Sequence, residues 1–405
     1  MMFNKPLEGI KVVDLTYYVA GPGAGKILAD WGADVIKVEP DFGDPGRKLG
    51  ENMTATAIDR EKNPVYSTYN ANKRGFCVNL KDPEGLAIMD KLLSQANIFI
   101  SSYRTGALKR LGLDYETVSK KHPHLIWGQV NGFGDYGPVK DNPGFDTVAY
   151  WSRSGAMMDL SERDTSPINP LIAFGDSSTS CSLAGGVAAA LYQQAKTGKG
   201  TKVMVSLYAQ AIWTVGAAVA STQFSDEYPK TRKDATTPVL NSYKCKDGQW
   251  IFITILDYER YYPVLCKVFG REDLLVEKYA TTLAVKKHTK ELIEILEKEF
   301  AKYTQDEIVD MLTKADIAHE RIRHYKDVAT DPQAIANNYV YEMTNRDGSK
   351  NTIAMTPVKF GSIDVNWKCD APLIGQDSVE IMKELGYGEK EIKEYLDKKI
   401  IIENK

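Results

Sequence analysis

Between Ile10 and Gly134, short apolar runs alternate with stretches of helical length, and few folds accommodate that alternation. IKVVDL, ADVIKVE, NIFISS and LIWGQVNGFG are short, continuous and rich in β-branched residues, which predicts strands. GPGAGKILADWG, PEGLAIMDKLLSQA and YETVSKKHP separate them as predicted helices. A strand that returns through a helix lies parallel to its neighbour. The expected fold class is therefore α/β, a Rossmann-like parallel sheet with helices on its faces.

A chain of 405 residues is long for one core, so a second part is expected. After Gly175 comes a long small-residue helix, SSTSCSLAGGVAAALYQQAKTG, in which Gly185 and Gly186 predict close backbone packing. TKVMVSL returns as a strand. The uncharged run Val203–Ser225 that overlaps it is long enough to cross a bilayer. Ser206, Gln210, Thr214, Ser221, Thr222 and Gln223 make it too polar for lipid, so a buried helix is predicted instead. The texture changes at DEYPKTRKDATTP, and Asp247-Gly248 marks a hairpin within NSYKCKDGQWIFITIL. KELIEILEKEFAKY and QDEIVDMLTKA follow as amphipathic helices. The expected boundaries are a large domain at 1–224, a linker at 225–237, a small α+β domain at 238–325, and a return to the large domain at 326–405.

Lys and Arg number 51 against 54 Asp and Glu, so nothing in the charge points to nucleic acid or a membrane as partner. The five cysteines, Cys77, Cys181, Cys245, Cys266 and Cys369, are far apart with no CxxC pair. That spacing argues against a structural zinc site or a disulfide framework and fits a reducing cytoplasm. MMFNKPLEGI lacks the apolar stretch of a secretion signal.

The chemistry-bearing motifs leave alternatives open. GPGAGK fails as a Walker A loop, because Ala20 stands where the first glycine belongs and Ile27 follows Lys26. It fails as a dinucleotide fingerprint too, since Lys26 replaces the third glycine. A tight structural turn and an anion site at a helix N-terminus both remain. Asp176 in Gly175-Asp176-Ser177-Ser178 reads as a helix cap or as a carboxylate poised at a helix start. Asp146 in Asn142-Pro143-Gly144-Phe145-Asp146 reads as a turn residue or a second site carboxylate. The histidines His122, His124, His288, His319 and His324 show no metal spacing, and no GxSxG elbow is present.

Taken in order, PLEGIKVVDLT, GPGAGKILADWGADVIKVE, NANKRGFCVNLKDPEG, RTGALKRLGLDYE, PGFD, FGDSS, TGKGTKVMVSL and IGQDSVEIMKELGY resemble the class III CoA-transferases, the family of formyl-CoA and carnitine CoA-transferases. NPVYSTYNANK, PGFDTVAYWSRSG, TSPINP and YKCKDGQW look most like its clostridial 2-hydroxyacyl and aryl-lactate subgroup. The resemblance implies a large CoA-binding domain, a small domain on two linkers, and a homodimer of interlocked chains. It implies coenzyme A as the shared substrate, with no metal, and Asp176 as a covalent nucleophile. Tyr17, Tyr18, Val19 and Ala20 are expected along the cofactor, Lys73 and Arg74 near its phosphates, and Ser102, Tyr103 and Arg110 at its adenine end. Phe145 and Asp146 are expected at the acyl group.

Departures refine that picture. Formyl-CoA transferases carry basic residues where Pro40 and Pro143 stand, and a glycine-rich flap where this chain has Thr236-Thr237-Pro238-Val239-Leu240. A bulkier, more apolar acid, 2-hydroxy or 2,3-unsaturated, is therefore expected in place of oxalate. Two rival functions share the resemblance. An α-methylacyl-CoA racemase needs a histidine base, and Phe145 stands at its matching position. A non-catalytic CoA-binding scaffold is the other, which the intact GD motif argues against.

Overall fold

Six parallel strands of the first compact unit carry the architecture: β1 (Lys11–Leu15), β2 (Asp34–Glu39), β3 (Arg74–Val78), β4 (Ile98–Ser101), β5 (Ile126–Asn131) and β6 (Lys202–Ser206). Their spatial order is β3-β2-β1-β4-β5-β6, and Ile401–Ile402 pairs antiparallel with the outer edge of β3. The computed structural model describes residues 5–49, 63–171, 173–345, 348–361 and 369–404. Met1–Ala156, Pro170–Ala220 and Asp331–Lys405 form the first unit, and Met157–Asn169 with Ser221–Thr330 form the second.

The connecting helices of the first unit are α1 (Ala20–Asp30), α2 (Pro64–Asn70), α3 (Pro83–Ser94), α4 (Thr105–Leu111), α5 (Tyr115–Lys121), α6 (Phe174–Thr197) and α7 (Leu207–Thr214). Strands β1 to β5 are buried along nearly their whole length, as a parallel sheet requires, although Asp14, Lys37 and Gln129 are polar residues within it. One face packs Phe76, Phe99 and Trp127 against Ile88 and Leu92 of α3. Strand β3 and helices α2 and α4 were not read from the sequence. Strand β3 is short and contains Gly75, where a Cβ would collide with the Leu373 carbonyl and the ring of Pro372.

The run Val203–Ser225 is not one buried helix. It is β6, then α7, then a separate short helix at Gly216–Ser221. Trp213 is 83% exposed and Phe224 is 86% exposed. Among the described residues no helix is long and apolar enough to cross a membrane. In α6, Gly186 does allow close packing, since a Cβ there would press on Val203, whereas Gly185 faces open space.

In the second unit β7 (Leu240–Lys244), β8 (Trp250–Thr254) and β9 (His319–Arg321) form an antiparallel sheet. The turn between the first two uses Gly248 at φ +81°, as the Asp-Gly pair predicts. Helices α8 (Tyr258–Val268), α9 (Thr289–Phe300) and α10 (Gln305–Lys314) belong to the same unit. The stacked rings of Tyr243 and Phe300, 4.5 Å apart, sit in its core.

The last part of the chain returns to the first unit through a hairpin, β10 (Val340–Thr344) and β11 (Lys350–Ala354), and the helices α11 (Ser378–Glu384) and α12 (Glu389–Asp397). Ile381, Met382, Leu385 and Ile392 join the core that holds Phe76 and Ile88. The Gly75 N–H donates to Asp377 Oδ2 at 2.7 Å, and the Cys77 N–H donates to Ser378 Oγ at 3.1 Å. These bonds tie the returning segment to β3.

Candidate active site

Strand order reverses at β1, whose neighbours β2 and β4 connect to opposite sides, and a crevice opens beyond the carboxyl ends there. The loop from Thr16 to Val19 forms one wall. The Tyr17 N–H donates to Ser102 Oγ at 2.9 Å, which joins that loop to the end of β4. Tyr18 adopts φ +66°, a left-handed conformation uncommon for a tyrosine. It is held there by its N–H, which donates to Asp44 Oδ1 at 3.0 Å. Asp44 is in turn paired with the buried Lys37 at 2.9 Å, whose ammonium also donates to the Thr16 carbonyl. A buried ion pair therefore fixes the loop.

The cavity is lined by Tyr17, Tyr18, Val19 and Ala20 on this side, by Ser102 and Arg104 after β4, and by Phe145 and Asp176 opposite. The rings of Tyr18 and Phe145 meet edge to face at 5.6 Å and give the space an apolar wall. Val19 is the residue before α1, and its helix start lines the cavity with Ala20 and Gly21. Further along that helix, Lys26 is buried and paired with Asp30 at 2.5 Å. GPGAGK thus lies within α1, where Gly23 and Gly25 let the helix approach Ser180 and the buried Asp14.

Asp176 sits in the first turn of α6 but does not cap it; the cap position is Ala173, which makes no side-chain bond. The Asp176 carboxylate has no hydrogen bond to a described residue and opens onto the cavity. Burial, and then the charge of Asp146, push its carboxyl up from 3.8 to about 7. Next to it Ser177 Oγ and Tyr69 Oη share a hydrogen bond of 2.9 Å. Burial raises the Tyr69 phenol, the Ser177 bond opposes this, and the charges of Asp176 and Asp146 add to it.

Other expected contacts lie elsewhere. Asp146 does not line the cavity; it turns under the start of α6, where Oδ1 accepts the Gly175 N–H at 3.0 Å. Lys73 is buried with Asp14 at 2.8 Å and also donates to the Pro22 carbonyl and Asn70 Oδ1. Desolvation lowers its ammonium from 10.5 to about 8. Arg74 is taken by two carboxylates, Asp34 and Glu384, each at 2.7 Å. Neither basic residue lines the crevice, because Lys73 is held by Asp14, Pro22 and Asn70 and Arg74 by Asp34 and Glu384. Arg110 is exposed on α4 and lines neither this cavity nor the next.

A second concavity adjoins the first, with Tyr103 in its wall and the ring of Tyr17 5.0 Å from Tyr103. Pro40, Phe42 and Val78 line it, with the exposed Lys81 and Lys399 at its edge. Sequence reading missed Arg104, Lys81 and Lys399. Lys81 follows a strand that went unread, and Lys399 reaches the site only through the folding back of the C-terminal segment. Among the described residues no cluster of three or more His, Cys, Asp or Glu side chains is arranged to hold a metal.

A model of CoA-transferase family III matches residues 7–378. The chain is 39% identical to (R)-2-hydroxy-4-methylpentanoate CoA-transferase of Clostridioides difficile, over 98% of this chain and 99% of that one. It is 36% identical to cinnamoyl-CoA:phenyllactate CoA-transferase of Clostridium sporogenes, over 98% and 97%. Among solved structures, a CAIB/BAIF family protein from Brucella suis superposes with a TM-score of 0.80 at 27% identity, over 95% of this chain and all of that one (100%).

Proposed function

The chain belongs to CoA-transferase family III, and from that premise we propose that it transfers coenzyme A to a free carboxylic acid through covalent intermediates on Asp176. One Asp176 oxygen attacks the donor thioester carbonyl, the C–S bond breaks, and CoA thiolate leaves a mixed anhydride. The thiolate then attacks the Asp176 acyl carbon, which releases the donor acid as its carboxylate and forms an aspartyl-CoA thioester. The acceptor carboxylate attacks that thioester and expels the thiolate, which returns to the acceptor's acyl carbon and frees Asp176. No water and no redox partner enter the balance, and each step exchanges one activated acyl bond for another.

A single observation carries this reading: in a crevice at the strand-order reversal, Asp176 is a carboxylate with no partner among the described residues, and burial has raised its basicity. Such a group is a stronger nucleophile than an exposed aspartate. Tyr17 through Ala20 and Ser102 line the path leading to it, and Tyr103, Lys81 and Lys399 offer an aromatic face and two cations for the nucleotide end. The edge-to-face rings of Tyr18 and Phe145 beside Asp176 favour a branched or aryl 2-hydroxy or 2,3-unsaturated acid. The names of the two clostridial relatives agree with that class. The five unbridged cysteines fit a reducing cytoplasm.

The test is a mass-spectrometric panel of acyl-CoA donors and acids, with hydroxylamine quenching during turnover. Branched or aryl 2-hydroxy acids should accept CoA, and a modified peptide should contain residue 176. Turnover that leaves every peptide with Asp176 unmodified sinks the covalent reading.

A further inference from the structure

Asp146 is a buried carboxylate that the reaction scheme does not use. It begins a π-helical segment, Asp146–Ser152, directly after the cavity residue Phe145. Its Oδ1 accepts the Gly175 N–H at 3.0 Å, while its Oδ2 is buried with no hydrogen-bond partner among the described residues. A Cβ on Gly175 would collide with Asp146 Oδ1 and with the Tyr150 ring, so carboxylate and backbone are in direct contact. Two residues earlier Ala173 is held at φ +72°, a conformation that costs an alanine energy and needs support. No described cation pairs with Asp146. A neutral acceptor would satisfy Gly175 equally well, and burying an unpaired charge is unfavourable for folding. What the carboxylate alone adds is charge behind the nucleophile, present above the value of about 6 to which burial pushes its own carboxyl against the opposing backbone N–H groups of the turn.

We infer that Asp146 is a positioning residue for Asp176, which clamps the Ala173–Gly175 turn that aims the nucleophile and places a second negative charge behind it. This rests on Asp176 being the nucleophile. Other titratable or charged groups around the cavity are Tyr69 on α2, Tyr17 and Tyr18 after β1, Arg104 after β4, and Lys140 with Asp141 before Phe145. Of these and Asp146, only Asp146 bears on Asp176 strongly enough to raise its carboxyl further.

Asp146→Asn keeps an acceptor oxygen for Gly175 and removes the charge; Asp146→Ala removes both. In Asp146→Asn the acid limb of kcat/KM against pH should move to lower pH, with slower formation of the hydroxylamine-sensitive species. Asp146→Ala should slow that formation on the order of tenfold, the effect of one lost charge-assisted hydrogen bond. KM for the acyl-CoA should be unchanged. Ala173→Gly, which adopts the turn without strain, should restore part of the loss in the Asp146→Ala background. An unshifted acid limb together with wild-type acylation in Asp146→Asn overturns the inference, as does a loss carried by KM. Unfolding midpoints identify a misfolded variant, and if Asp146→Ala misfolds the limb of Asp146→Asn decides alone. A wild-type enzyme never labelled at Asp176 instead refutes the nucleophile assignment.

Discussion

The carboxyl of Asp176 is costly to the fold, and the cost has a definite pH dependence. Its folded value of about 7 lies above the ordinary 3.8, so between these values the folded chain holds a proton that the unfolded chain has released. Stability therefore falls as pH rises from the lower value to the higher and is flat beyond. Asp176→Asn mimics the protonated form and removes that dependence. We expect it to abolish transfer yet unfold at higher urea than wild type at alkaline pH, by about 1–3 kcal/mol after allowing for the carboxylate's opening to solvent. Near the lower value the two should coincide. An equal difference at both ends of the range in chemical denaturation would count against the raised carboxyl.

The start of α6 illustrates why the GD pair is a unit. Gly175 has no room for a side chain because Asp146 and Tyr150 press on it, while Asp176 one residue later faces the cavity. Gly175→Ala must push the turn outward or displace Asp146. Transfer activity should fall by on the order of a hundredfold, while global stability drops by about 1–3 kcal/mol, the usual cost of overpacking. Single-turnover kinetics and thermal unfolding, measured on one preparation, check both. Full activity in that variant would show that the turn is slack. On the other side Ser180 of α6 donates to the Ala20 carbonyl at 2.8 Å, which ties α1 to the helix that carries Asp176.

For the whole molecule, the exposed aromatic side chains of the first unit argue for a second copy. Tyr192 on α6 is 69% exposed and Trp213 on α7 is 83% exposed, the kind of aromatic surface that a partner chain covers. We expect a homodimer in which these surfaces are covered. Light scattering should give twice the chain mass of 45.1 kDa, and Trp213→Glu should lower it. A wild-type protein of single-chain mass would refute the dimer.

Periodicity and composition were enough to read the α/β class, because a parallel sheet covered on both faces leaves continuous apolar runs that no surface strand carries. The long helix after Gly175 and the Asp247-Gly248 hairpin were legible for the same local reason. Motif order pointed to the family and singled out Asp176. Burial and charge partners were not legible, since they depend on what other segments bring. By resemblance Lys73 and Arg74 are expected near the cofactor's phosphates, whereas the fold pairs them with Asp14, Asp34 and Glu384, and Glu384 comes from the far end of the chain. Asp146 read as a turn residue or a second site carboxylate, and only the tertiary fold shows it beneath Gly175, because the segment it begins packs under α6.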